Sequence, residues 1–300
     1  MGSIPTASII FVSLNSCPIN LCWAFFIGKK ELIMNIAWFM EDSAFSENLD
    51  PMKEEIVNQG MKVIESKYIP FEGGSYSHLF EGFDLVIFYG SLNLARQLSK
   101  ENHPNLVIHS TVENYECTKY YAYLGEFLLN KDYMMIPFSE VERMKKFIFK
   151  MFGKKGQIFI RPSSGEKTFT GQLINEKEFE QGYTSIGQYD MKPESIVIIS
   201  TPKDIVKEWR LVVSEGKIVT GSLYHDCTLN CNYIGYTEKV KKYAEKILDK
   251  KYNPDRIWTM DICQTRDEQI HLLEIGGFSC AGMYDGCMTN IITNATIVSK

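Results

Sequence analysis

A pair of carboxylates set in apolar strand sequence constrains this chain more than any other feature. Residues 256–277 read RIWTMDICQTRDEQIHLLEIGG, two apolar runs joined by a polar turn at 264–268. Asp261 lies between Met260 and Ile262, and Glu274 between Leu273 and Ile275. A two-residue turn centred on Asp267 and Glu268 makes Asp261 face Glu274 across a hairpin, and opposed residues share a face. Two carboxylates roughly 5 Å apart at Cβ repel each other. A divalent cation between them removes that cost, and Mg²⁺ takes such hard oxygen ligands at about 2.0–2.1 Å. The other reading is a solvated pair on an exposed face; the apolar flanks favour the metal site. On either reading, Asp261→Asn or Glu274→Gln leaves the metal-free protein as stable as before, or more so.

With 300 residues the chain is long enough for two or three compact lobes. A net charge of −5 offers no broad basic surface for nucleic acid, so bound phosphate must be held by a local cluster. Eight cysteines occur without a CxxC pair. Free thiols of a reducing compartment, and hence a cytoplasmic location, fit them better than a metal site. The five histidines are dispersed, and no Ser/His/Asp arrangement is visible. Residues 9–28 are uncharged and largely apolar, but no positive charge precedes them, and Asn15, Pro18 and Asn20 interrupt a membrane span. We read residues 1–33 as an extension outside the core fold, with Met34 as the domain start.

From Met34, strands at 35–39, 61–66, 84–88 and 105–109 alternate with helices at 51–60 and 92–99, which predicts a small parallel α/β lobe. Asp50 and Pro51 open the first helix and Gly60 closes it; Ser91 caps the second. The turn Gly90-Ser91 is either an anion site at a helix N-terminus or an ordinary strand-to-helix connection. Helices follow at 114–129 and 139–152, the latter with Ser139 and Glu142 as a capping box. A short strand at 157–160 runs into Arg161-Pro-Ser-Ser-Gly-Glu-Lys-Thr-Phe-Thr-Gly171. Hydroxyls, glycines, Arg161 and Lys167 suit a phosphate cradle; an ordinary polar turn is the alternative, and no Walker motif is present. Strands at 195–200, 207–213 and 217–225 follow, with a turn at 214–216. Glu208 and Arg210 share one face, Trp209 and Leu211 the other. An amphipathic helix at 236–251 carries Val240, Tyr243, Ala244 and Ile247 on one stripe.

The ordered set resembles the ATP-grasp superfamily from Met34 to the C-terminus. The set comprises an α/β lobe, a strand with a basic residue before a Gly/Ser loop, an apolar hinge strand, an E-x-R strand, then an Asp strand and a Glu strand. The resemblance implies an α/β (α+β) fold: an N-terminal lobe over 34–112, and an ATP-grasp domain over 113–300 whose two α+β lobes clamp ATP. It implies that Ile198, Ile199 and Ser200 lie at the adenine, Glu208 on the ribose, and Arg210 near the terminal phosphate or acyl phosphate. Arg161, Ser163, Ser164, Gly165, Lys167 and Thr170 would face the phosphates, with Lys119 as a further ATP lysine. Asp261 and Glu274 would hold Mg²⁺. Two positions depart from the common pattern. Arg161 stands where most members have lysine, which matches a clade frequent in phages and bacteria and adds a bidentate fork. Glu274-Ile-Gly276 lacks the asparagine that serves a second metal; Ser279 is near enough in sequence to substitute.

The implied activity is an ADP-forming ligase that joins a carboxylate to an amine or related nucleophile through an acyl phosphate, with Arg210 and Lys167 as catalytic cations. Its substrates would be a small molecule or peptide bearing the carboxylate and an amine-bearing acceptor. A nucleotide-binding module without ligase activity and a phosphotransferase acting on a small molecule or peptide are the alternatives.

Overall fold

The computed structural model describes residues 34–69, 74–189, 191–228 and 233–300; the reading of residues 1–33 lies outside them. Four parallel strands come first, β1 (Ile36–Glu41), β2 (Lys62–Ser66), β3 (Leu85–Tyr89) and β4 (Leu106–Val107), in the order β2-β1-β3-β4. Every residue of β1 and β3 is buried, as a parallel sheet covered on both faces requires. Helix α1 (Ser46–Asn58) covers one face and α2 (Leu92–Glu101) the other. The Ser91 side chain caps α2 by accepting the Leu94 N–H at 3.2 Å. Helix α1 starts earlier than Asp50, and Pro51 lies inside it. Its buried stripe explains this, because Leu49 already belongs with Met52 and Ile56. Gly60, at φ +79°, closes the helix as expected.

The helix expected over 114–129 is broken. A 3₁₀ turn (Val112–Tyr115) leads into α3 (Cys117–Leu124), and a second turn (Gly125–Phe127) ends it. Next comes an antiparallel sheet of β5 (Tyr133–Pro137), β6 (Gln157–Pro162), β7 (Gln172–Asn175) and β8 (Ile196–Ser200), in the order β5-β8-β6-β7. Helices α4 (Phe138–Arg143), α5 (Lys145–Phe152) and α6 (Phe179–Gly187) pack on its one face, against Ile158, Ile160, Val197 and Ile199. The capping box does not form, because α4 starts at Phe138 and Ser139 sits inside it. Its first N–H groups are satisfied elsewhere: Phe138 donates to the Ser195 carbonyl and Ser139 to that of Pro193.

The third sheet is antiparallel, in the order β11-β10-β9-β12-β13. It comprises β9 (Ile205–Ser214), β10 (Lys217–Asp226), β11 (Tyr233–Ile234), β12 (Ile257–Thr265) and β13 (Ile270–Gly277), with α7 (Glu238–Leu248) between β11 and β12. Glu215 and Gly216 both take positive φ, the turn that matches strand twist in a tight hairpin. The expected stripe of α7 buries Val240, Ala244 and Ile247 against Trp209, Leu211, Trp258, Met260 and Ile262. The C-terminal α8 (Met288–Ser299) inserts Ile291, Ile292 and Ala295 among residues of β1, β3 and α1. Ile291 is fully buried there. Ile291→Ala should cost about 2–5 kcal/mol, measured as a lowered urea midpoint.

Candidate active site

Register on the third sheet sets two rows of side chains across one face. Glu274, Asp261, Arg210 and Ser222 are paired in turn across β13, β12, β9 and β10. His271, Cys263, Glu208 and His225 form the next row. Alternation sends Trp209, Leu211, Met260 and Ile262 to the opposite face, into the core under α7. The expected opposition of Asp261 and Glu274 is present, but it arises differently. The turn holds three residues, 266–268, since Thr265 donates to the Gln269 carbonyl and Glu268 has φ +63°. That turn alone would offset the pair by one residue. A β-bulge between Asp261 and Ile262, with Leu273 as the extra residue, restores it.

The two carboxylates do not repel each other unaided. The Arg210 Nε donates to Asp261 Oδ1 at 2.8 Å and Nη2 to Oδ2 at 2.6 Å, a bidentate pair in which both side chains are largely buried. Arg210 Nη1 donates to the Gly282 carbonyl at 3.0 Å. Arg161 Nη2 donates to Glu274 Oε2 at 3.0 Å, and Lys167 Nζ to Oε1 at 2.9 Å. Burial raises the Glu274 carboxyl, but Lys167 and Arg161 outweigh it and hold the group at about 2. The metal-free protein therefore does not gain by losing either carboxylate, and the expectation that it would is overturned: removal strands a buried arginine.

Strand β6 carries Arg161 opposite Ile198 of β8, and the loop to β7 carries Lys167 at φ +49°. The base of that loop is fixed through Ser163, whose carbonyl accepts the Cys117 N–H and whose N–H donates to the Ile196 carbonyl. Ser164 Oγ accepts the Glu166 N–H. A Cβ at Gly165 would lie 2.4 Å from the Val112 carbonyl oxygen, so only glycine lets the loop come this close. Thr170 is exposed, and Lys119 donates to Asn114 Oδ1, outside the Arg161–Lys167–Glu274 cluster. On β8, Ile199 packs with the helices behind its sheet, whereas Ile198 joins the cluster of Trp209 and Leu211. The Ser200 hydroxyl is buried and has no protein partner.

A cavity of about 360 Å³ opens at this centre, lined by Arg161, Lys167 and Arg210 together with Ser91, Gly276 and Gly282. Three cations face two carboxylates, so the cluster is short of negative charge. Among the described residues no group of three or more His, Cys, Asp or Glu is placed to hold a metal. Two carboxylates suit Mg²⁺, which binds through one or two of them and completes its shell with water and phosphate oxygens. A Cβ at Gly276 would lie 2.9 Å from Thr259 Oγ1, which donates to the Gly276 carbonyl, so Thr259 fills the space an amide side chain would use. Ser279 does not replace that amide: it is fully buried and accepts the His109 N–H. Tyr224 donates to Glu208 Oε2 at 2.6 Å. No local motif marks it, and register alone could have found it.

Two lobes of antiparallel sheet, with facing cations and a carboxylate pair between them, define a nucleotide-grasping protein. The profile of an ATP-grasp domain, the second family of the clade with arginine in place of the usual ATP-binding lysine, matches residues 138–294, over half of the chain. The chain belongs to that family. No curated protein matches it. It resembles the crystal structure of the D-cycloserine synthetase DcsG (TM-score 0.60, 12% identity, 88% of this chain and 99% of that one). It also resembles D-alanyl-alanine synthetase A from Vibrio cholerae O1 biovar eltor str. N16961 (0.58, 12%, 88% and 98%). A third similar structure is the ATP-grasp ligase PsnB complexed with minimal precursor, Mg and ADP (0.53, 12%, 91% and 100%). These likenesses establish the fold.

Asp261→Asn should destabilise the nucleotide-free protein by about 3 kcal/mol in urea unfolding, because Arg210 stays buried without its charge partner. Glu274 is depressed from 4.5 to about 2. Its pairs therefore stabilise the fold fully above its ordinary range and less as the pH falls toward 2. The stability gap between wild type and Glu274→Gln should close over that window.

Proposed function

We propose that the chain is an ATP- and Mg²⁺-dependent ligase that joins a carboxylate to an amine or related nucleophile and releases ADP. The observation that carries this is the convergence of Arg161, Lys167 and Arg210 on one cavity beside the Asp261–Glu274 pair. Ile198, Ile199 and Ser200 hold the adenine, and Glu208 binds the ribose. Arg161, Lys167 and the loop residues Ser163, Ser164, Gly165 and Thr170 face the phosphates. Lys119 is the least supported member of the set, since its ammonium is engaged with Asn114. Arg210 faces the phosphoryl group in transfer. Asp261 and Glu274 hold Mg²⁺, which neutralises phosphate charge when bound. A carboxylate oxygen of the substrate attacks the terminal phosphorus and ADP leaves; the amine then attacks the acyl carbon and phosphate leaves. The protein's share is to position the reactants and to stabilise phosphoryl charge.

The cavity volume suits a small carboxylate or the reactive end of a peptide. The neighbours support such a reading: two are named synthetases and one ligase is complexed with a precursor, Mg and ADP. No helix among the described residues is long and apolar enough to cross a membrane. A cytoplasmic location fits an ATP-consuming enzyme and the free thiols Cys117, Cys227, Cys263, Cys280 and Cys287.

Arg161→Ala should weaken binding of a non-hydrolysable ATP analogue by roughly ten- to a hundredfold in calorimetric titration, while Arg161→Lys keeps part of it. Unchanged affinity in the alanine variant would reduce the loop to an ordinary turn. In a screen of carboxylates, hydroxylamine should trap the acyl phosphate as a hydroxamate, and Glu274→Gln should abolish the signal. ADP release without any hydroxamate would favour phosphoryl transfer, and binding without ADP release a nucleotide-binding module.

A further inference from the structure

Two tyrosines far apart in sequence meet beside the row Glu274–Asp261–Arg210. Tyr224 is the extra residue of a β-bulge in β10, between Leu223, opposite Trp209, and His225, opposite Glu208. Leu223 packs into the core under α7, so the bulge turns Tyr224 to the other face. Tyr284 lies in the segment between β13 and α8 and takes φ +47°, a left-handed conformation that an aromatic residue adopts only under constraint. Their rings stack at 4.5 Å, 8° from parallel. The Arg210 guanidinium lies 5.6 Å from the Tyr224 ring centroid and 5.2 Å from that of Tyr284.

We propose that Tyr224 and Tyr284 are positioning residues that aim Glu208 at the ribose and Arg210 at the terminal phosphate. The inference rests on the nucleotide roles given to Glu208 and Arg210 above. Arg210 has a long, rotamer-rich side chain, and an arginine free to wander loses that freedom when it binds phosphate. Here three of its five N–H donors are taken by Asp261 and the Gly282 carbonyl. The two rings restrict the plane of the guanidinium, and two donors are left for a ligand. Tyr284 and Gly282 belong to the same segment, so its strained backbone delivers a ring and a carbonyl to one guanidinium. Tyr224 also donates its hydroxyl to Glu208 Oε2 at 2.6 Å, which leaves Oε1 to accept from a sugar hydroxyl. Burial pushes the Tyr224 phenol far above its ordinary range, so it remains a donor at working pH.

The two rings thus act on different parts of one ligand, and that separates them from residues that merely support the fold. Calorimetric titrations in MgCl₂ with ADP, 2′,3′-dideoxy-ADP and AMPPNP read each part. Tyr224→Phe keeps the ring and removes the hydroxyl. It should weaken ADP about fivefold and leave dideoxy-ADP unchanged. Tyr284→Ala should lower the preference for AMPPNP over ADP roughly tenfold, and Tyr284→Phe should restore it. A purely structural role would lower the melting temperature and weaken all three ligands equally, and that result would overturn the inference. So would an unchanged AMPPNP preference in Tyr284→Ala while Arg210→Ala loses it. If Arg210→Ala keeps the preference, or if wild type binds none of the three ligands, the nucleotide reading fails and the inference with it.

Discussion

The site depends on how two carboxylates survive side by side before any metal reaches them. At a separation of about 4 Å and an effective dielectric of about 20, like charges cost about 4 kcal/mol. The fold answers with a cation for each: Arg210 on Asp261, Arg161 and Lys167 on Glu274. The same pairs hold three cations in one small volume, already desolvated in part and already aimed. A polyanion entering there meets charge that needs little reorganisation. The carboxylates have work to do in the empty site as well as in the loaded one, because they keep the cations from dispersing.

This depends on a strict allocation of faces. Along β9, Glu208 and Arg210 point to the site while Trp209 and Leu211 point to the core, and β12 repeats the pattern with Asp261 and Cys263 against Met260 and Ile262. A slip of one residue would bury the charges and expose the tryptophan. The two bulges, at Leu273 and Tyr224, are local departures from that period. One brings Glu274 level with Asp261; the other brings a phenol to Glu208 without disturbing Leu223 in the core.

Much of this frame is legible in the amino-acid order. Apolar runs give β1 and β3, Ser91 gives the start of α2, the stripe on α7 gives its buried face, and E-x-R on β9 gives the site face. The Asp261–Glu274 pairing is also legible, yet a two-residue turn reaches the right pair only because a three-residue turn and a bulge cancel. Short elements escape: β5 ends in proline, β7 is four residues of mixed polarity, and the α4 start depends on carbonyls of Pro193 and Ser195. The ion pairs escape for a different reason. Arg210 and Asp261 are 51 residues apart, and Arg161 and Glu274 are 113 apart. Local patterning shows that each residue is charged and set among apolar neighbours, but only tertiary register decides which charge answers which.

The pairs are not equivalent, and their burial ranks them. Arg210 and Asp261 leave only 12% and 4% of their side chains exposed, whereas Lys167 leaves 46%. An exposed pair is screened and contributes about 1 kcal/mol or less, so it exchanges partners at little cost. A buried bidentate pair does not, since separating it strands both charges. Asp261 can still serve a metal while it holds Arg210, because two carboxylate oxygens offer about four lone-pair positions. Arg210 and Asp261 therefore act as the fixed frame of the site, and Lys167, on its loop, is the cation free to leave Glu274 for a phosphate. The loop base stays anchored through Ser163 and Gly165, so that exchange needs movement of one side chain and not of the lobe.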